Sequence, residues 1–123
     1  MKKIFADTAY WTAILYPKDS YHKLASAAAI RHSKDLVVTT DAVLSETLNQ
    51  FSNAGSHWRK TVASQIENLF SQDSVVVLPA SRELFFKGLT MYKSRADKEY
   101  SHVDCMSMVV MRNENITDVL TTD

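Results

Sequence analysis

The sequence predicts an α/β domain on a mostly parallel central sheet, and three observations carry that prediction. Four short apolar runs recur along the chain, the stretches between them repeat apolar residues at helical spacing, and three of the runs lead into acids. The runs are Lys3-Ile4-Phe5-Ala6, Leu36-Val37-Val38-Thr39, Val75-Val76-Val77-Leu78 and Val119-Leu120-Thr121-Thr122. They are near-continuous rather than alternating, which is how strands covered on both faces read. Strands that alternate with helices form βαβ units, with helices on both faces of one sheet.

Taken in order, the first run ends at Asp7, a favourable helix cap, and a helix is expected from Thr8. Tyr21, Leu24, Ala25 and Ala28 then mark one apolar stripe, and Leu44, Leu48 and Phe51 another. Trp58, Val62, Ile66, Leu69 and Phe70 make a third. Leu84, Phe85 and Leu89 follow Pro79-Ala80-Ser81, and a last helix is expected over 102–112 before the final run. In open α/β sheets the functional crevice lies beyond the carboxyl ends of the strands. The residues there are Asp7-Thr8, Thr40-Asp41 with Glu46 on the next helix, and Asp123.

Composition narrows the function classes. A chain of 123 residues has room for one domain and one core. With 46% hydrophobic and 23% charged residues and only 2 Gly and 2 Pro, nothing reads as a linker. No apolar stretch approaches the ~20 residues of a membrane helix, and Lys2-Lys3 is not followed by the apolar segment of a signal peptide. A soluble, cytoplasmic protein is expected, and the single cysteine, Cys105, suits a reducing compartment. The formal net charge is zero, which at first argues against a nucleic-acid partner. If four acids were committed to a cation, however, 14 positive charges would face 10 negative ones. No glycine-rich phosphate loop is present.

Each acid has a structural reading beside a functional one. Asp7 is either a cap or a ligand. Asp104 fits a capping box with Ser101, yet its helix is apolar nearly all round, and a carboxylate on a buried helix needs a partner. Ser101, Asp104 and Ser107 fall on one polar line of that helix. Glu46 sits too deep in its helix to cap it. Asp41 is read as a first-turn acid that suits the helix dipole, and Asp97 as a surface charge near the rim of a site. Asp7, Glu46 and Asp123 all follow strands of one parallel sheet, so their ends should meet at one edge. Gathered carboxylates repel unless a cation neutralises them, and all-oxygen ligation suits Mg²⁺ or Mn²⁺. Zinc does not fit, because His22, His32, His57 and His102 lack paired ligand spacing.

The order Phe5-Ala6-Asp7-Thr8, Thr40-Asp41-Ala42-Val43-Leu44-Ser45-Glu46, Asp97 through Met108, and Ile116 through Asp123 resembles the PIN-domain ribonucleases, in particular the VapC-type toxins of toxin–antitoxin pairs. The most specific part is Tyr100-Ser101-His102-Val103-Asp104-Cys105-Met106-Ser107. The resemblance implies a three-layer α/β/α sandwich over 1–123, binding Mg²⁺ or Mn²⁺ and cleaving RNA. It carries the family's carboxylates onto Asp7, Glu46, Asp104 and Asp123, with Asp97 a further candidate. Thr8, Ser101 and Ser107 would hold those carboxylates in place. An antitoxin that covers the site and a homodimer are further implied partners. Family members usually continue past the last acid through a closing strand, so a truncated C-terminal end with one open sheet edge is expected.

For grip on RNA, Arg82, Lys87, Lys93, Arg95 and Lys98 are candidate phosphate contacts, as are Arg59 and Lys60. Trp58 is read as core, and Cys105 as packing rather than a nucleophile. The alternative to a ribonuclease is a non-catalytic RNA-binding or protein-interaction module on the same scaffold. A phosphate-transfer domain using Asp7 is weaker, since Ala9 stands where a second aspartate would be wanted.

Overall fold

A computed structural model describes residues 2–122; the expectations for Asp123 lie outside them. The elements run β1 (Lys3–Ala6), α1 (Thr8–Leu15), α2 (His22–Arg31), β2 (Leu36–Thr40), α3 (Asp41–Gln50), α4 (Ser56–Leu69), β3 (Val75–Leu78), α5 (Arg82–Ser94), α6 (His102–Asn113) and β4 (Val119–Leu120). All four strands are parallel, in the order β3-β2-β1-β4. The chain moves outward from β1 to β2 and β3, then returns to place β4 on the other side of β1. That reversal lies between β1 and β4, where the connections leave in opposite directions and open a crevice at the carboxyl ends.

The sheet is the centre of the core. Ile4, Phe5, Ala6 and Val38 are almost wholly buried, as the continuous apolar runs predict. A chain of buried hydrogen bonds seats α1 on the sheet: Trp11 Nε1 donates to Thr39 Oγ1 at 3.2 Å, and that hydroxyl donates to the Ala6 carbonyl at 3.0 Å. Each helix that matters to the crevice has a defined start. Asp7 caps α1, Thr40 caps α3, Ser81 caps α5 and Ser101 caps α6, each through its side-chain oxygen. α6 ends in a Schellman turn: Ile116 N–H donates to the Met111 carbonyl at 2.8 Å, Asn115 N–H to that of Arg112 at 3.3 Å, and Asn115 takes a φ of 55°.

Three expectations need correction. The last strand is only Val119–Leu120, because it pairs with Phe5 and Ala6 alone, and at Asp7 the neighbouring chain turns into α1. The expected stripe of α2 is largely at the surface: Leu24 is 64% exposed and Tyr21 50%, and Ala25 alone of that helix is buried. α2 rests on α1 through its alanine side, where His22 Nδ1–H donates to the Ala13 carbonyl at 2.8 Å, and among the described residues no element covers Leu24 or Ile30 on the other face. Thirdly, α6 buries Cys105, Met106, Ser107, Val109 and Val110 but leaves Asp104 exposed, so the polar edge of this helix opens outward.

α5 and α6 run side by side in the same direction. His102 Nε2–H donates to the Phe85 carbonyl at 2.9 Å, and Gly88 sits against Met106. A Cβ on Gly88 would lie 2.6 Å from Met106 Cγ and 3.2 Å from the Met106 backbone nitrogen, so the close approach depends on glycine. Segment 95–101 must therefore travel back along the full length of α5 before α6 starts.

Candidate active site

The crevice at the β1/β4 reversal holds two adjoining clefts. Asp7, Thr8 and Asp104 line both. One cleft, of about 340 Å³, is mostly apolar, with Phe5, Val43, Tyr100, Val103, Met108, Met111 and Val119 as walls and Ser107 among them. The other, also about 340 Å³, is polar: Asp7, Asp19, Glu46 and Asp104 contribute carboxylates, beside Thr8, Thr12, Gln50 and Thr122. No lysine, arginine or histidine is among its lining residues.

Asp7 is placed by the end of β1. Its N–H donates to the Leu120 carbonyl at 3.2 Å, tying it to β4, and its Oδ1 accepts from Tyr10 N–H at 3.0 Å. The cap and the cleft are therefore two uses of one carboxylate. Glu46 comes from the second turn of α3 and is half-buried; Thr8 Oγ1 donates to its Oε1 at 2.5 Å across the cleft. Asp104 is held by a full capping box: Ser101 N–H donates to its Oδ2 at 3.0 Å, and its own N–H donates to Ser101 Oγ at 3.0 Å. Ser101 thus holds Asp104, and Thr8 holds Glu46. Ser107 is buried on the wall of the apolar cleft and makes no hydrogen bond to a carboxylate among the described residues.

The structure brings Asp7, Glu46 and Asp104 to one cleft. Asp97 is exposed in the loop after α5 and lines neither cleft. Sequence reasoning overlooked Asp19, which reaches the cleft from the turn after α1, where its carboxylate accepts from Tyr21 N–H at 2.8 Å. It also overlooked Thr12. Thr12 stands one helical turn beyond Thr8, and that spacing was the available signal; nothing periodic marks a turn residue such as Asp19. Asp41 is structural: its carboxylate accepts from Ala80 N–H at 2.7 Å and joins the start of α3 to the loop after β3.

The donor set fits a hard divalent cation. All the side-chain donors are oxygens, the carboxylates outnumber any positive charge, and Thr12 Oγ1 is buried with no hydrogen-bond partner among the described residues. Among the described residues no three acids stand close enough to cage an ion unaided. Cys105 is fully buried; burial pushes its thiol up, and the neighbouring Asp104 carboxylate adds to the rise while Arg95 opposes it. A thiol kept protonated in this way is packing, not a nucleophile. Trp58 meets Tyr16 edge-on at 4.8 Å and packs against the core. No helix among the described residues is long and apolar enough to cross a membrane.

Comparison with known proteins gives two results and one blank. No curated protein matches the chain significantly in sequence. Among solved structures, the Mycobacterium tuberculosis toxin VapC20, which cleaves the sarcin–ricin loop, has a similar fold with a TM-score of 0.85 at 23% identity, covering 98% of this chain and 89% of that one. The family model for the PIN domain matches residues 4–123. With an all-parallel sheet whose reversal point gathers acids from β1, α3 and α6, and a match across nearly its whole length, this chain belongs to the PIN domain family.

Proposed function

We propose that the protein is a divalent-cation-dependent endoribonuclease, the toxin of a VapC-type toxin–antitoxin pair acting in the cytoplasm. The observation that carries this reading is the polar cleft itself, where four carboxylates from separate parts of the chain meet no basic side chain. Asp7, Asp104 and Asp123 would hold Mg²⁺ or Mn²⁺, with Glu46 beside them. Such an ion, when bound, acidifies a water and offsets the charge that develops on phosphodiester oxygens.

The chain's own residues do the rest. Thr8 fixes the Glu46 carboxylate across the cleft from Asp7, where it can take a proton from an attacking water. Ser101 fixes Asp104 at the first turn of α6. Uncompensated, the acids would repel a polyanion, so RNA should engage the cleft only when it is neutralised. The apolar cleft alongside, with Tyr100 and Met108, offers a surface for an unstacked base. An antitoxin and a second copy of the chain are the expected protein partners. Ribosomal RNA containing the sarcin–ricin loop is one substrate to try, since VapC20 acts there.

The test is cleavage of single-stranded and structured RNA with Mg²⁺ or Mn²⁺, with EDTA, and with Asp104→Asn. Cleavage that disappears in the last two conditions supports the reading. Cleavage that survives both, or none of any RNA with either ion, overturns it.

A further inference from the structure

On the other flank of α6 lies a third cleft, of about 510 Å³, larger than either of the two at the reversal point. It runs between α5 and α6 and is lined by Lys87, Arg95 and Arg112 together with Thr90, Ser94 and Asn113, over a floor of Met91 and Val109. No acid is among its lining residues. Lys87 is paired with exposed Glu83 at 3.0 Å, whereas Arg95 and Arg112 have no ion-pair partner among the described residues. Thr90 and Ser94 spend their hydroxyl protons on the Phe86 and Met91 carbonyls of their own helix, so the donors available to a ligand are the three cations and Asn113.

We infer that this groove is a phosphate-backbone site that holds a single-stranded stretch of RNA away from the bond being cut. The inference rests on the ribonuclease reading for the identity of the polyanion. Three like charges along one open groove, only one of them paired and that with an exposed acid outside the lining, suit a repeating anion better than a single small ligand. Arg112 lies eight residues beyond Asp104 on α6, about 12 Å along the axis and about 80° round it, and lines the groove rather than the acidic clefts. A strand crossing α6 from the groove thus presents a bond a few nucleotides away to the acids. The groove raises affinity for long RNA without touching the reacting phosphate, so it acts on binding rather than on chemistry.

The experiment measures binding of a fluorescent 20-nucleotide single-stranded RNA in EDTA, between about 50 and 200 mM salt, for three proteins. They are the unmodified chain, Lys87→Gln/Arg95→Gln/Arg112→Gln, and a control lacking three exposed cations elsewhere, Lys23→Gln/Arg31→Gln/Lys34→Gln. Losing three phosphate contacts should flatten the plot of log affinity against log salt by about 2, at ~0.7 per contact. The control should leave the slope where it was. An unchanged slope in the groove variant, or an equal change in the control, overturns the proposal; equal loss in both means diffuse attraction rather than a site. All six side chains are exposed, so both variants should keep the native melting profile. The two readings fail separately. A protein that cleaves nothing yet shows the slope change removes the nuclease and keeps the groove, and an active protein with an unchanged slope does the reverse.

Discussion

Helix α6 has two flanks of opposite character. One presents Asp104, with Ser107, Met108 and Met111, to clefts that collect acids; the other presents Arg112 and Asn113 to a groove that collects cations. The formal net charge of the whole chain is zero, yet neither flank is neutral. A total is blind to arrangement, and here arrangement is what a polyanion would sense. The flanks also differ in how they are built. Hydrogen bonds fix the acids, Thr8 to Glu46 and Ser101 to Asp104, whereas two of the three groove cations have no ionic partner among the described residues. On the proposed reading, one flank would serve chemistry at a point and the other grip along a line.

The largest expected effect comes from removing a charge on the acidic flank while keeping its structural duty. Asparagine caps a helix about as well as aspartate, so Asp7→Asn should leave the melting temperature nearly unchanged. RNA cleavage should fall at least about a hundredfold, the upper end of what losing even a ligand's hydrogen-bond partner costs. If cleavage persists and stability drops, Asp7 is a cap and nothing more. Next, Thr8→Val deletes the hydroxyl that holds Glu46 and should lower cleavage about tenfold, with RNA affinity in EDTA unaltered. An equal fall in affinity would place Thr8 in binding instead.

Gly88→Ala sharpens the contrast from the packing side. Overpacking against Met106 costs about 2 kcal/mol and the gain in helix propensity returns about 1, so a net loss near 1 kcal/mol and a melting temperature lower by about 4 °C are expected. Stabilisation would mean that α5 and α6 can separate at no cost. The smallest effect is at Lys2–Asp118, an exposed ion pair near the start of β1. The hydrogen bond from Lys2 holds the Asp118 carboxyl below its usual value, and the same bond raises Lys2. Asp118 therefore stabilises the fold above the unfolded carboxylate pKa of about 4, a contribution lost as pH falls through its lowered folded value. The Lys2 contribution is present below about 10 and is lost as pH rises through its raised folded value. The melting difference between the parent and Asp118→Asn should be small, flat at mid pH and gone in strong acid. A difference that grows on acidification would contradict this.

Local pattern made the sheet legible: β1 and β2 are continuous apolar runs at the centre of the core, β3 is an equally continuous run that is half-buried at the sheet edge, and Asp7 and Ser101 announce helix starts chemically. What pattern could not say is which helix faces receive a cover. Leu24 and Tyr21 repeat as faithfully as any core stripe, yet α2 is the outer element on that side. The exposure of Asp104 escaped the pattern for the converse reason, since an apolar helix can still turn one edge outward. Asp19 was invisible because turn residues have no period. The basic groove needed the parallel run of α5 and α6, which depends on the returning segment 95–101 and on contact at Gly88.

The central claim is that Asp7, Glu46 and Asp104 serve one divalent ion. Anomalous diffraction from a crystal soaked in Mn²⁺ tests it most directly. A manganese peak within ligand distance of Asp7 and Asp104, absent after Asp104→Asn, is the predicted result; a well-ordered cleft with these side chains turned apart and no peak between them would contradict it.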